Sequence, residues 1–450
     1  MMNIEDELIL LADADIRAAS YLQTIETRRV FPSNEDLSRL SELAGPLPEQ
    51  PSAPIQTLAL LDKSGTPGTV ASNGPNYFGF VIGATLPVAA ATERLAAAWD
   101  QCASSYVNSP AMAVIEKTAA SWLLDILDLP RKSGVGFGTS ATACGLSCLA
   151  TARAGLLSRQ GWDIGARGLA GAPEIRVVVP TSVHVTIKKA LKLLGFGLDN
   201  IVTAPVDEHG RILPDQLPPL DDRTILCLQA GEVNTGEFDR FTDIASMAKA
   251  AGSWIHVDGA FGLWARASKA KRYLSEGVDL ADSWTTDGHK SLNTPYDSAV
   301  AICRDKSLMA KTMNADAVYS QSEDDAQKNL TLEFSRKPRG LGFWAALRSL
   351  GREGVEELVD QYCDRANELA HGCRDIGIPV LNRVVFNQVL CAFEDEEKTR
   401  QFVNRVQSNG KVWFGPTIWQ GKAAFRLSVS SWRTGADHID NCIRELSANM

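Results

Sequence analysis

Lys290 is the residue of this sequence whose surroundings most strongly suggest chemistry. It lies in the segment TTDGHKSLNTPYD (285–297), behind a histidine and a glycine, where few other charges occur. An amine held in a pocket can form a Schiff base with an aldehyde. A lysine taken alone is usually a solvated surface residue, so this interpretation depends on other segments.

Asp258 ends the apolar run WIHVDG (254–259). A carboxylate at the end of a buried strand is costly unless it pairs with a cation. The position therefore predicts a positively charged partner for Asp258. Capping of a nearby loop by this carboxylate is the alternative.

A third segment, GFGTSATACGLSCLATAR (136–153), leads from glycines and small hydroxylated residues into a helical pattern. The free N–H groups of a helix N-terminus, flanked by hydroxyls, form a phosphate site. The segment has neither the GK[ST] of a Walker loop nor GxGxxG spacing, and an ordinary N-capped helix is the alternative. Read together, the three segments fit one ligand with a phosphate, a protonated ring nitrogen and an aldehyde, namely pyridoxal 5′-phosphate.

Four apolar runs of strand length are expected to position these residues: IRVVVP, TILCLQ, WIHVDG and AVAICR, which begin at residues 175, 224, 254 and 299. Helical patterns alternate with them, as in FTDIASMAKAAGS between the second and the third. The alternation predicts an α/β fold with a mostly parallel sheet covered on both faces. In such sheets ligands bind in the loops beyond the carboxyl ends of the strands.

The texture of the chain predicts three segments. Residues 1–75 read as helices followed by a loop rich in proline and polar residues, and we interpret them as a dimerisation segment. Residues 76–345 form the large cofactor-binding α/β domain. Residues 346–450 form a smaller α+β domain, with an amphipathic helix in LVDQYCDRANELAHGCRDIG and a late strand in FRLSVSSW.

The composition excludes several classes of function. The 450 residues carry a net charge of −9 without a block of Lys/Arg, which argues against binding of nucleic acid or anionic membranes. The most apolar segments are too short to span a membrane, and the acidic start lacks a signal-peptide pattern. Nine cysteines without a CxxC pair are typical of the reducing cytoplasm. Six histidines without metal-ligand spacing predict no metal site.

Six stretches carry a resemblance to a known family: SPAMAVIEKTAASWLLDILDLP, GTSATACGLSCLATAR, HVTIKKALKLLG, WIHVDGAFG, ADSWTTDGHKSLN and FSRKPRGLGFWAALRSLG. From about residue 75 to 350 they resemble the group II pyridoxal-phosphate-dependent amino-acid decarboxylases, which include the aromatic-amino-acid and glutamate decarboxylases. The C-terminal portion matches only loosely. The resemblance implies a fold-type-I architecture, a homodimer with its active site at the subunit interface, and decarboxylation of an L-amino acid to the amine and CO2.

The resemblance also implies roles for individual residues. Lys290 would form the Schiff base with the cofactor, Asp258 would keep the pyridine nitrogen protonated, and His184 would stack on the ring near the substrate carboxylate. Further residues complete the expected cofactor contacts: Ser140, Ala141 and Thr142 around the phosphate, Asp287 and His289 nearby, Ala260 against the ring and Gln229 near its 3-hydroxyl.

Three features depart from the family pattern. Ser291 replaces the aromatic residue that usually follows the lysine, and the SATA of the phosphate segment lacks the acidic residue common there. Asp287 replaces the asparagine of the aromatic-amino-acid branch. A carboxylate beside a phosphate repels it unless the carboxylate is turned away or paired.

Tyr319, in NADAVYSQ, follows Lys290 by 29 residues. By resemblance, aromatic-amino-acid decarboxylases carry at this spacing the mobile-loop tyrosine that protonates the substrate carbanion in the partner subunit. Relatives with phenylalanine there tend toward oxidative deamination, and an ordinary loop tyrosine is the alternative. Two other functions stay open, namely Cα–Cβ cleavage, as in the related sphingosine-phosphate lyases, and a catalytically silent scaffold.

Aromatic side chains give the expected substrate preference. The segment NYFGFVIGATLP, with Phe80 and Val81, is the expected entrance to the site. Together with Trp264 and the tryptophans of VWFGPTIWQ, it favours an apolar or aromatic substrate side chain over glutamate.

We expect Tyr319→Phe to bind substrate and release CO2, because the variant lacks only one hydroxyl. The carbanion then lacks its nearby acid and persists long enough to react with dissolved oxygen. Amine formation should therefore fall by roughly 10²–10⁴-fold, while aldehyde, ammonia and peroxide appear. The measurement is the amine-to-aldehyde ratio in air, with thermal melting as the folding control. Amine formation at the parent rate would assign the protonation to another acid, such as His184.

Overall fold

The order of elements in the computed structural model, which describes residues 3–314 and 326–450, confirms the alternation of strands and helices. A seven-stranded and a three-stranded sheet are present in this part of the chain. The strands of the first are β1 (Gly134–Gly138), β2 (Arg176–Pro180), β3 (Ile201–Ala204), β4 (Thr224–Gln229), β5 (Trp254–Asp258), β6 (Ser283–Asp287) and β7 (Ala299–Cys303). Those of the second are β8 (Gln388–Cys391), β9 (Gly415–Trp419) and β10 (Lys422–Ser428).

The helices fall before, between and after these strands. They are α1 (Ile4–Gln23), α2 (Asn34–Arg39), α3 (Pro54–Leu60), α4 (Pro87–Trp99), α5 (Pro110–Ile126), α6 (Ala141–Arg159), α7 (Ile164–Arg167), α8 (Val185–Leu193), α9 (Phe241–Ala250), α10 (Lys306–Met313), α11 (Gly340–Asp375), α12 (Glu396–Asn409) and α13 (Ala436–Ala448). Helix α11 is interrupted at Gly351, whose φ of 62° is non-helical.

The large sheet is mostly parallel, as expected. Its strand order is β1-β7-β6-β5-β4-β2-β3, and all pairs from β6 to β3 are parallel. Strands β1 and β6 both pair antiparallel with β7. The carboxyl ends of β1, β2, β4, β5 and β6 therefore lie at the same edge of the sheet, which is where ligands bind in sheets of this kind.

The predicted strand runs correspond to β2, β4, β5 and β7, because each is a continuous apolar run buried on both faces. Strand β1 has the sequence GVGFG and escaped prediction. Its glycines have a packing reason, since a Cβ on Gly136 would collide with the carbonyl oxygen of Leu330. Strand β6, SWTTD, is polar in composition yet wholly buried.

The chain divides into two compact units. The first contains Met1–Ile82, Glu368–Leu381 and Val389–Met450, and the second, here called the central unit, contains Gly83–Asn367 and Asn382–Gln388. The division into 1–75, 76–345 and 346–450 stays a prediction. Within the central unit, the sheet packs on helices α6 and α8 through buried Leu, Ile, Val and Ala side chains.

A buried ion pair fixes the region where β1 meets α6. The guanidinium of Arg336 donates to both carboxylate oxygens of Glu116, at 2.7 and 2.9 Å, and both side chains are at most 1% exposed. Arg336 also donates to the carbonyl of Phe137 in β1, and the Gly340 N–H donates to Glu116 at 2.9 Å. Removing one partner of such a pair costs about 3–5 kcal/mol, because the other charge is left buried.

The nine cysteines are free thiols, and eight of them are buried while Cys102 is partly exposed. Burial raises the pKa of the Cys363 thiol to about 12. The Cys363 thiol is therefore protonated near neutral pH, and buried free cysteines of this kind act as small apolar side chains. None of the described helices is long and apolar enough to cross a membrane.

Candidate active site

Lys290 lies in a tightly held turn after β6, within the central unit. The N–H groups of Gly288 and His289 donate to the carbonyl of Ser298, at 2.9 and 3.3 Å. The side-chain amide of Asn293 donates to the carbonyl of Lys290 at 2.6 Å. The amine of Lys290 is therefore carried on a fixed backbone while its side chain keeps 19% exposure.

Asp287, the last residue of β6, connects the lysine turn with the start of α6. Its Oδ1 accepts a hydrogen bond of 2.7 Å from the backbone N–H of Ala141. Its Oδ2 lies 3.1 Å from Nζ of Lys290. The carboxylate that the sequence placed beside the phosphate site is thus paired on both oxygens.

The start of α6 has the N-terminal geometry expected of an anion site. Ser140 is the N-cap residue, and its Oγ accepts a hydrogen bond of 3.3 Å from the Ala143 N–H. Ala141 and Thr142 are the first two helical residues. Ala141 is buried, whereas Ser140 and Thr142 are half-buried, so both hydroxyls border accessible space.

His289 stacks on Tyr296, with ring centroids 4.1 Å apart. Its Nε2 lies 3.7 Å from Oδ2 of Asp287. Burial lowers the pKa of His289, so the ring is neutral near pH 7, although the Asp287 carboxylate acts in the opposite direction. The buried Nδ1 has no hydrogen-bond partner among the described residues, and so it is available to a ligand.

Asp258 ends β5 and is 8% exposed. Its Oδ1 accepts a hydrogen bond of 3.2 Å from the Ala260 N–H, and the Ala260 carbonyl accepts one of 2.9 Å from the Asp287 N–H. The backbone thus connects Asp258 with Asp287 through Ala260. Within residues 3–314 and 326–450, no cationic side chain lies within 4 Å of the Asp258 carboxylate, so the positively charged partner expected for it is not among these residues.

Gln229 ends β4 and pairs in register with Asp258. Its side-chain amide donates to Oγ of Ser182 at 3.1 Å, in the turn after β2. Its backbone N–H donates to Oδ2 of buried Asp239 at 2.7 Å. Burial raises the pKa of Asp239 to about 7, although two backbone N–H donors oppose the shift.

His184 is the N-cap residue of α8, in the turn that follows β2. Its Nδ1 lies 2.7 Å from Oγ1 of Thr186, and this ring nitrogen also accepts from the Thr186 N–H at 3.4 Å. The contact fixes the plane of the imidazole, and His184 as a whole is half-buried. Tyr319 lies outside the described residues.

Gly83 is a supporting residue that sequence reasoning missed. Its N–H donates to the carbonyl of His289 at 3.3 Å, and a Cβ at this position would collide with the carbonyl of Lys290 and the amide of Asn293. Asn293 itself has a φ of 53°. The signals were present as the glycine in FVIGATLP and the asparagine in HKSLN, but neither identifies its partner.

Trp264 is a core residue rather than part of the expected aromatic entrance. It is fully buried, and its Nε1 donates to the backbone carbonyl of Asp287 at 3.3 Å. Ser291 is also buried, and its Oγ donates to the carbonyl of Phe261 at 2.9 Å. The small residue after the lysine is thus explained, because an aromatic ring there would displace Phe261.

Comparisons with known proteins decide the family. The family described as pyridoxal-dependent decarboxylase conserved domain matches residues 51–381. The chain belongs to this family. Tryptophan decarboxylase 1 of Oryza sativa subsp. japonica is 25% identical to it over 480 residues, which cover 97% of this chain and 92% of the relative.

Two further comparisons extend this result. An acidic amino acid decarboxylase of Bos taurus is 25% identical over 413 residues, which cover 84% of this chain and 78% of the relative. The crystal structure of Oryza sativa TDC with PLP and tryptamine has a TM-score of 0.90 and 23% identity, and the match covers 100% of this chain and 99% of the other. The decarboxylase therefore has the fold-type-I architecture, and its activity is that of a pyridoxal-phosphate-dependent carboxy-lyase.

The described residues of the decarboxylase fit this cofactor. A buried carboxylate without a cationic neighbour, Asp258, matches a protonated ring nitrogen. The N–H of Ala141 already accommodates an oxygen of a carboxylate, which stands in for an oxygen of a phosphate. Lys290 would supply the amine, and Nδ1 of His289, which has no hydrogen-bond partner among the described residues, would add a further polar contact.

We expect Asp258→Asn to fold normally, because the amide keeps the shape of the side chain and an acceptor for the Ala260 N–H. Turnover should fall by about 10²–10³, as for removal of one preorganised charge from an active site. The control is Asp305→Asn, since Asp305 caps α10 after β7, away from the carboxyl ends that carry the site. Steady-state kinetics and thermal melting measure both effects, and unchanged turnover in Asp258→Asn would contradict the assigned role.

Proposed function

We propose that this decarboxylase converts an L-amino acid with an apolar or aromatic side chain to the amine and CO2, with Lys290 as the covalent anchor of the cofactor. The observation that carries the proposal is the set of contacts in which Asp287 joins the Lys290 amine to the start of α6, while Asp258 lies buried with no cationic side chain of the described residues within 4 Å. These features supply an amine, an anion site and a negative charge at one edge of the sheet.

Pyridoxal phosphate, when bound, provides the electron sink that stabilises negative charge at the substrate Cα after a bond to that carbon breaks. The buried carboxylate of Asp258 would hold a proton at the ring nitrogen, because a charge in a low-dielectric site favours an opposite charge beside it. Ser140, Ala141 and Thr142 would orient the phosphate through a helix N-terminus and two hydroxyls.

His184 and Gln229 would position the remaining groups. The Nδ1 contact of His184 with Thr186 fixes the ring orientation, so the imidazole presents a constant face. The amide of Gln229 is fixed by Ser182. Tyr319 stays the proposed proton donor to Cα on the strength of its spacing from Lys290 alone.

The preference for an aromatic or apolar side chain is supported by the segment around Phe80. Phe80 is 58% exposed, and both Phe80 and Val81 have positive φ angles, of 52° and 58°. Such backbone strain in non-glycine residues is concentrated at functional sites. Phe80 packs on Trp413 with ring centroids 5.2 Å apart, and Trp413 stacks on Tyr77. These three rings form one aromatic cluster within the first compact unit.

A homodimer is supported by α1. This helix of 20 residues has no buried residue, although it carries Ile9 and Ile16, which are 65% and 69% exposed. An apolar helix surface of this kind is stabilised by packing on another surface. A second copy of the chain is the partner that the family resemblance implies, and a two-fold interface would bury the same helix in both subunits.

Lys290→Ala should abolish the lysine adduct that borohydride reduction traps in the parent enzyme, and turnover should be lost with it. The fold should survive, because the side chain is a covalent partner rather than a packed core residue. Mass spectrometry of the reduced, digested protein identifies the labelled lysine, with the exposed Lys311→Ala as the matched control. An adduct on another lysine in the Lys290→Ala variant would overturn the anchor assignment.

The turnover assay also tests the reaction type when the products of the parent enzyme are identified. Release of CO2 with formation of the amine is the expected result. Release of an aldehyde derived from the substrate side chain, without CO2, would instead assign Cα–Cβ cleavage.

The double variant Ile9→Glu and Ile16→Glu should lower the solution mass from dimer to monomer, because two charges would be buried in the proposed interface. Light scattering measures the mass, and circular dichroism tests whether α1 and the rest of the fold remain. A folded variant that keeps the parent mass would show that α1 does not form the interface.

A further inference from the structure

We propose that Asp287 acts as an internal counter-anion of the cofactor site, which holds the site together in the cofactor-free protein and weakens its affinity for the phosphate-bearing cofactor. This inference rests on the proposed site at Lys290 and the start of α6. It assigns to Asp287 a positioning role at the start of α6 and at the Lys290 amine, in which its charge opposes the phosphate instead of binding it.

The geometry allows the carboxylate little freedom. Asp287 is 2% exposed, and its backbone is fixed on both sides, since its N–H donates to Ala260 and its carbonyl accepts from Trp264. Its oxygens contact Ala141 at 2.7 Å and Lys290 at 3.1 Å. One buried side chain therefore engages both the anion site and the anchoring amine.

The helix N-terminus explains why a carboxylate is stable at this position. Unpaired N–H groups and the helix dipole favour an anion at the start of α6, and the carboxylate satisfies one of these donors. The ammonium of Lys290 is compensated by the same charge. Asp287 thus contacts both the helix N-terminus, where a phosphate would bind, and the amine, with which an aldehyde would react.

The same placement opposes binding of a phosphate. A phosphate dianion at the start of α6 would lie beside a buried carboxylate, and like charges repel strongly where water is excluded. Loading therefore requires Asp287 to give up the Ala141 N–H or to remain next to a like charge. An asparagine would keep the acceptor oxygen and remove the repulsion.

The test compares two probes that differ only in the phosphate group, pyridoxal 5′-phosphate and pyridoxal. Dissociation constants are measured by absorbance and fluorescence on the full-length parent, Asp287→Asn and Asp305→Asn, after removal of bound cofactor. We expect Asp287→Asn to increase the preference for pyridoxal 5′-phosphate over pyridoxal on the order of tenfold, because the phosphate at the start of α6 would no longer face a buried like charge. Asp305→Asn, which also removes a helix-capping charge, should leave this preference unchanged.

A second readout is the melting temperature without and with cofactor. The cofactor-free Asp287→Asn protein should melt below the parent, because Lys290 and α6 lose their anion. Saturating pyridoxal 5′-phosphate should raise its melting temperature by more than it raises that of the parent, since tighter ligands stabilise more. If Asp287→Asn does not fold, the less bulky Asp287→Ser serves for the same comparison.

The outcomes separate this inference from the proposed function. An unchanged or reduced preference for the phosphate-bearing probe in Asp287→Asn would overturn the counter-anion role, while borohydride labelling at Lys290 would still support the site. If the parent is not labelled at Lys290, the proposed site fails first, and the inference fails with it.

Discussion

Parallel pairing in register is the constraint from which the rest of this active site follows. Strands β4, β5 and β6 run side by side, so Gln229, Asp258 and Thr285 occupy adjacent positions across the sheet. A shift of one residue in any of these strands would turn its terminal side chain to the opposite face. Because these strands are buried on both faces, their register also sets the directions in which Gln229, Asp258 and Thr285 point.

The stability of the region around α6 depends on charges that are buried only in pairs. Arg336 and Glu116 hold the carboxyl end of β1, and Asp287 holds the first N–H of the helix that follows. The ion pair acts on the end of the connection that lies in β1, and Asp287 acts on the end that begins α6. The connection that leads into the proposed phosphate site is therefore held at both of its ends.

The extent to which the sequence predicts this structure depends on the range of the interactions. Strands such as β4 and β5 are predictable because four or more consecutive apolar residues have no other stable location than a covered sheet. Strand β1 was missed because Gly136 is required by close packing against the carbonyl of Leu330, which is distant in sequence. No local pattern reveals such a contact. The division of the chain into three segments stays a prediction.

Among the proposed site residues, Lys290, Asp258 and the start of α6 were predicted from the sequence, and these assignments stay predictions, whereas their neighbours in the fold were not predicted. It did not show that Asp287 contacts Ala141, because the two residues lie 146 positions apart. It also assigned Trp264 to the aromatic lining of the substrate entrance, whereas the ring is fully buried and donates to the backbone beside the lysine turn. Contacts of this kind depend on the completed fold and lie beyond composition and spacing.

The buried thiols can report local unfolding of this protein through their reaction with a thiol reagent. Eight cysteines are distributed over both compact units, and a reagent in solution reaches them only when the surrounding structure separates. The order in which Cys144, Cys227 and Cys442 become labelled would therefore rank the opening free energies of the α6 region, the sheet and the C-terminal helix. No probe has to be introduced, because the chain already carries a buried thiol in each of these regions.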